Sequence, residues 1–292
     1  MLGAILQTAR PKQWVKNLFF VAAPLVFSKH LGDPHEALRA AFAVALFCAL
    51  SSAVYLLNDV VDLEKDRVHP TKCKRPIAAG RLSVRAAKVA AAILGPGSIA
   101  LGLTLGLDFA LVAAGYLVLN IAYSLVLKQH VYVDVLSIAT GFLLRVVGGA
   151  LAIGVSTSPY LLVCTVLIAC FLGFGKRAHE LAAAGLRAGR QRKVLERYRP
   201  ELLRAALWAT GLATLVSYIL YTRAAHTLAF FHTERMVFTA PFAAFGLARF
   251  GQLVTRSDSA DSPTDAMLRD WPFLLNIALW AVAIVLIIYF RP

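Results

Sequence analysis

The sequence predicts an all-α fold: a polytopic membrane bundle of about nine transmembrane helices, forming a single integral domain over residues 1–292. Three observations carry that prediction. Of the 292 residues, 59% are hydrophobic and only 16% are charged, an apolar excess beyond what a soluble surface tolerates. Apolar stretches of about 20 residues recur, each the length of one bilayer crossing. Most Lys and Arg residues fall between those stretches or toward their ends.

In chain order the expected spans are 17–32, 38–57, 88–106, 109–127, 132–153, 159–175, 203–222, 236–254 and 272–290. The first contains Pro24 and is expected to tilt or bend. Short polar or Gly/Pro-bearing links join most of the others, while two links, 58–87 and 176–202, are long. The N-terminal stretch "MLGAILQTARPKQWVKN" lacks a long apolar core followed by a small-residue cleavage site, so no removable signal peptide is expected. Cys48, Cys73, Cys164 and Cys170 show no CxxC pairing, and three of them fall in apolar spans, as buried thiols acting as small hydrophobes would.

Charge orients the bundle. The N-terminus and the links on its side carry 24 of the 30 Lys and Arg residues, the opposite side carries five, and Arg145 lies inside a span. Cationic loops stay in the cytoplasm, which predicts a cytoplasmic N-terminus with both long links beside it. The net charge of +14 is then explained by topology and anionic lipid head groups, with no nucleic acid required.

The acids need another explanation. Asn58, Asp62 and Asp66 recur every four residues where the second span ends, and Asp59 stands beside them. On a continuing helix each four-residue step advances about 40° and about 6 Å, giving one stripe of oxygen donors. Carboxylates at that spacing repel each other unless a cation joins them. Oxygen-only ligands with room for water suit Mg²⁺, usually shared with a substrate's phosphates. The adjoining segment supplies Arg67, His69, Lys72, Lys74 and Arg75 as donors to phosphate oxygens, between Pro70 and Pro76, which keep it out of helix.

"NDVVDLEKD" resembles the NDxxDxxxD motif of the UbiA-type intramembrane transferases. The resemblance implies a bundle of about nine spans with Mg²⁺ and a diphosphate donor at the cytoplasmic side. Within that superfamily, "RPKQWVKN" at 10–17, "NDVVDLEKDRVHPTKCKRPIAAG" at 58–80, "YSLVLKQ" at 123–129 and "GKRAHEL" at 175–181 are most similar to the decaprenyl-phosphate phosphoribosyltransferases. One departure stands out. Aromatic prenyltransferases of the superfamily usually carry a second Asp-rich motif after the sixth span, where this chain has Lys176, Arg177, His179 and Glu180 and no aspartate. A cationic motif there suits binding more phosphate.

The resemblance therefore implies transfer of a 5-phosphoribosyl group from 5-phosphoribosyl 1-diphosphate to a polyprenyl phosphate in the membrane, with Mg²⁺ as cofactor. Expected metal ligands are Asn58, Asp62 and Asp66, with Asp59 beside them in the catalytic set. Expected substrate contacts are Lys16, Arg67, Lys72, Arg75, Tyr123, Lys128, Arg145, Lys176, Arg177 and Glu180. Arg145 enters that set because an intramembrane charge by default marks a lined cavity. The expected partners are the two substrates and membrane lipids, with a homo-oligomer left open. Two alternatives stand beside this one: prenyl transfer to an aromatic or other small acceptor, and a transporter. Transporters tend to place ionisable groups near the bilayer midplane, whereas here nearly all sit at one face.

Overall fold

The computed structural model describes residues 2–184, 195, 197–256 and 263–290, and every regular element among them is helical. In chain order these are α1 (Leu2–Ala9), α2 (Trp14–Phe27), α3 (Pro34–Val61), α4 (Leu63–Arg67), α5 (Val84–Gly102), α6 (Leu107–Leu125) and α7 (Val133–Ala152). There follow α8 (Pro159–Ala184), α9 (Pro200–Arg223), α10 (Ala225–Phe231), α11 (Ala240–Arg256), α12 (Pro263–Arg269) and α13 (Trp271–Val285). The expected link 176–202 is partly helical, since α8 runs on to Ala184, and residues 185–194 and 196 lie outside the described residues.

Eight helical stretches among the described residues are long and apolar enough to cross a bilayer, and they correspond to the second to ninth expected spans. The first expected span is α2, which is only 14 residues long. That is roughly 21 Å of helix against a hydrocarbon core of about 30 Å. The cause is local. Arg10 is left-handed (φ 55°) and Pro11–Gln13 form a 3-10 turn, so the chain approaches α2 in a tighter form. At the far end Ser28 closes the helix and Lys29 is again left-handed (φ 63°). Pro24 lies inside α2 without ending it.

The chain divides into two compact units. One comprises the residues up to Lys128 together with Thr140–Thr157; the other comprises Gln129–Ala139 and the residues from Ser158 onward.

In the first unit α3 runs through the core, with Phe47, Leu50, Ala53 and Leu56 fully shielded. Asp33 starts it by accepting from the backbone N–H of His35 (2.9 Å) and Glu36 (3.4 Å), and Pro34 fills the first helical position. The N-terminal segment runs antiparallel to α3. Leu25 packs with Ala40, Asn17 Nδ2 donates to the Phe47 carbonyl (3.2 Å), and Trp14 Nε1 donates to Ser52 Oγ (3.2 Å). Gly149 of α7 meets α2 backbone to backbone: a Cβ there would lie 2.0 Å from the Val21 carbonyl oxygen. Only glycine permits that approach.

In the second unit Phe171 and Phe250 pack with ring centroids 5.1 Å apart. Asp270 caps α13 by accepting from Phe273 N (2.9 Å) and pairs with Arg249 Nη2 (2.7 Å). That capping carboxylate is held below the usual range by its bond to Arg249.

Candidate active site

The acids stand where α3 gives way to α4. The i to i−4 bonds continue across the junction, from Asp62 N to Asn58 O (2.9 Å) and from Asp66 N to Asp62 O (2.8 Å). Asp62 itself has left helical geometry (φ −92°, ψ 7°), so the two helices are offset at that residue. The offset separates the acids into two groups. Arg75 Nη1 donates to Asp59 Oδ1 (3.0 Å) and to Asp66 Oδ2 (2.6 Å), and Arg10 Nη2 adds a bond to Asp59 Oδ1 (2.5 Å). Asp62 turns the other way and takes Lys128 Nζ on both oxygens, at 2.8 and 3.0 Å. The side chains of Asp59 and Asp66 are only 2% and 5% exposed, against 27% for Asp62. Among the described residues no three acids, cysteines or histidines close on one point.

The donor chemistry nonetheless suits a hard cation. Two oxygens of nearly buried carboxylates converge on a single cationic nitrogen, and Asp62 and Asn58 add oxygen donors within four residues of Asp66 and Asp62 respectively.

The loop after α4 is built to present cations. His69 Nδ1 accepts from the backbone N–H of Thr71 (3.2 Å) and Lys72 (3.3 Å), closing the turn. Burial, and then the neighbouring Lys72, lower the His69 pKa. Arg81 reaches back to the Lys74 carbonyl (2.8 Å) and to Gln7 (3.1 Å), fastening the loop to α1. Lys72 is half-buried, Lys74 is exposed, and Arg67 is exposed and pairs with Glu64 (2.8 Å). Lys16 and Tyr123 lie half-buried in the same unit.

Arg145 is 9% exposed and sits in a web of neutral partners. It donates to Asn17 Oδ1 (2.6 Å), the Gly141 carbonyl (3.0 Å) and Tyr116 OH (2.7 Å), and its guanidinium lies 4.7 Å from the Tyr116 ring centroid. Arg145→Leu would strand the Asn17 and Tyr116 acceptors. We expect it to cost about 2–4 kcal/mol of stability, and Arg145→Lys, without the planar fork, to recover only part. Melting curves of the purified variants in detergent check this. A Leu variant that melts like wild type but has lost turnover would instead make Arg145 a substrate contact.

The second unit holds its own polar cluster. Lys176 is exposed, whereas Arg177 and Asp134 are fully buried and paired, Nε to Oδ2, at 2.9 Å. Arg177 also meets Glu180. Tyr198 OH donates to Asp134 Oδ1 (2.5 Å) and accepts from Tyr132 N (3.0 Å). Burial, and then Asp134, push the Tyr198 hydroxyl pKa up, so it remains a donor.

Sequence patterns did not point to Arg10 or Tyr198. Arg10 reads as one of three basic residues before a span, and its partner Asp59 is 49 positions away. Tyr198 reads as part of a long basic link, and only its 64-residue contact with Asp134 distinguishes it.

The profile of the UbiA prenyltransferase family matches residues 17–276. The chain belongs to that family. Its UbiA relatives include proteins named decaprenyl-phosphate phosphoribosyltransferase. The one from Mycobacterium tuberculosis is 32% identical over 97% of this chain and 94% of its own length. The one from Corynebacterium glutamicum is 32% identical over 100% of this chain and 89% of its own. Among solved structures, a UbiA homolog from Archaeoglobus fulgidus bound to DMAPP and Mg²⁺ superposes with a TM-score of 0.73 at 18% identity, covering 98% of this chain and 99% of that one. At that identity the likeness speaks for the fold. The chain is thus an integral, multi-pass UbiA-type transferase, as "NDVVDLEKD" and the apolar spans led us to expect.

Proposed function

We propose that this transferase moves a 5-phosphoribosyl group from 5-phosphoribosyl 1-diphosphate to a polyprenyl phosphate, releasing diphosphate at the cytoplasmic membrane face. The observation that carries it is the near full-length similarity to relatives named for that lipid and that transfer. The excess of Lys and Arg on the links beside the acids supports the cytoplasmic placement.

Asn58, Asp62 and Asp66, with Asp59 beside them, are the residues that would hold Mg²⁺. The ion, when bound, supplies charge neutralisation for the leaving diphosphate. The rest falls to the chain's own side chains. Lys72, Arg75 and Lys128 offer N–H donors to phosphate oxygens, and Lys16, Arg67 and Tyr123 extend that set. Cleavage at the sugar's anomeric carbon builds positive charge on the ring and negative charge on the departing group. Catalysis is then mostly positioning and electrostatics. The acceptor phosphate is already ionised, so no strong general base is needed. Within the second unit, Lys176 is exposed on α8 and offers a phosphate donor of its own, while Arg177 and Glu180 shape that segment around Asp134.

A donor screen tests the proposal. Purified protein with Mg²⁺ and a polyprenyl phosphate is expected to release diphosphate from 5-phosphoribosyl 1-diphosphate and form a ribosylated lipid, and EDTA should stop it. Transfer of prenyl groups from prenyl diphosphates to an aromatic acid, with the ribosyl donor untouched, would overturn it.

A further inference from the structure

One atom of the site has two employers. Arg75 Nη1 lies 3.0 Å from Asp59 Oδ1 and 2.6 Å from Asp66 Oδ2, so it fills the point on which the two carboxylates converge. These are also oxygens that the proposed function assigns to a divalent ion, and the inference below rests on that assignment. We propose that Arg75 is a resident counter-cation for this pair: it competes with a divalent ion for Asp59 and Asp66, and on yielding them its guanidinium becomes a donor to the substrate's diphosphate.

Three features of the structure fit an exchange and not a permanent ion pair. The first is unequal burial. The two carboxylates are 2% and 5% exposed, but the Arg75 side chain is 28% exposed, so the acids are fixed in the protein while the cation has a way out. Second, the Arg75 backbone is already held, with its N–H donating to Lys72 O (2.9 Å) and its carbonyl accepting from Ala79 N (2.8 Å). Only the side chain has to move. Third, the charges balance with Arg75 in place and fail without it. Arg10 and Arg75 together neutralise Asp59 and Asp66, but Arg10 touches only Asp59. If Arg75 left alone, Asp66 would be a buried carboxylate with its ion pair broken, which is strongly disfavoured. Departure of the guanidinium is therefore tied to arrival of another cation.

The converse holds as well. A divalent ion beside two arginines on two carboxylates leaves an excess of about two positive charges, which a diphosphate would remove. Arg75 thus weakens metal binding in the absence of substrate and strengthens it in its presence, making occupancy of the site depend on the donor.

The test reads metal binding, not turnover. Mn²⁺ alone is titrated into full-length protein in detergent, with the free ion followed by electron paramagnetic resonance. Arg75→Gln is expected to bind Mn²⁺ about tenfold more tightly than wild type, because a competitor has gone. Arg10→Gln, which touches only one of the two acids, should give a smaller gain. Equal or weaker Mn²⁺ binding by Arg75→Gln would overturn the proposal, since Arg75 would then be ordering the ligands and not competing for them. A second measurement needs no variant. Phenylglyoxal modification of Arg75 in wild type, mapped by mass spectrometry, should speed up severalfold when Mn²⁺ is added, as the guanidinium is released. An unchanged or slower rate would also overturn the exchange. Neither readout contains a donor substrate, so both stand whether the transferred group is ribosyl phosphate or prenyl, and a failed donor screen leaves them intact.

Discussion

Replacing Asp66 with Asn is expected to reduce turnover by about a thousandfold, in protein that still folds and inserts. A thousandfold corresponds to about 4 kcal/mol of lost transition-state stabilisation, the scale of removing one well-placed electrostatic contact. The substitution keeps the size of the side chain and one oxygen, so packing at this nearly buried position is preserved. Arg75 keeps its bond to Asp59, so no cation is stranded. What is lost is one of the two carboxylate charges that meet at a point. Asp62→Asn should fall nearly as far, although its carboxylate is more exposed and faces Lys128. Rates at ordinary and at high Mg²⁺, with a melting curve for each variant, make the comparison. Retention of most activity at ordinary Mg²⁺ would remove the acids from the metal site.

The second large effect concerns stability. Arg177→Met is expected to destabilise the protein by about 3–5 kcal/mol, because it leaves the Asp134 charge enclosed with its ion pair broken. Both side chains are fully shielded, so neither can turn to water for compensation. The double variant Asp134→Leu/Arg177→Met should recover most of the loss. Pairs in direct contact are where single substitutions fail to add. Tyr198 would then lose its acceptor, which sets a limit on the recovery. Thermal melting in detergent of the two single variants and the double measures the coupling. If Arg177→Met melted within a few degrees of wild type and instead raised the KM for a phosphorylated substrate, the guanidinium would be a substrate contact.

Most of the fold was legible because a membrane makes length and polarity decisive. Eight spans follow from apolar stretches alone. The short α2 was not, since its apolar run looks long enough and only the left-handed Arg10 and Lys29 show where α-helical geometry stops. The acids were legible as a group but not in their pairing. Four-residue spacing singles out Asn58, Asp62 and Asp66, yet Asp59 and Asp66 are seven apart, about 20° short of two full turns, and so are better aligned. The structure pairs them accordingly, and the offset at Asp62 sends that residue to Lys128. Partnerships such as Arg10 with Asp59 or Arg177 with Asp134 span more than 40 residues, and no local pattern records them.

The web around Arg145 has a consequence for how the chain is made. An arginine near the middle of a helix opposes insertion by about 2.5–3.5 kcal/mol when the helix enters the bilayer alone. Apart from Gly141 within its own helix, the groups that receive this guanidinium, Asn17 and Tyr116, all precede it in the sequence. They belong to helices already synthesised when α7 leaves the ribosome. The charge can therefore be met by finished parts of the protein as it arrives, and none of these three partners has to wait for the C-terminal half to be translated.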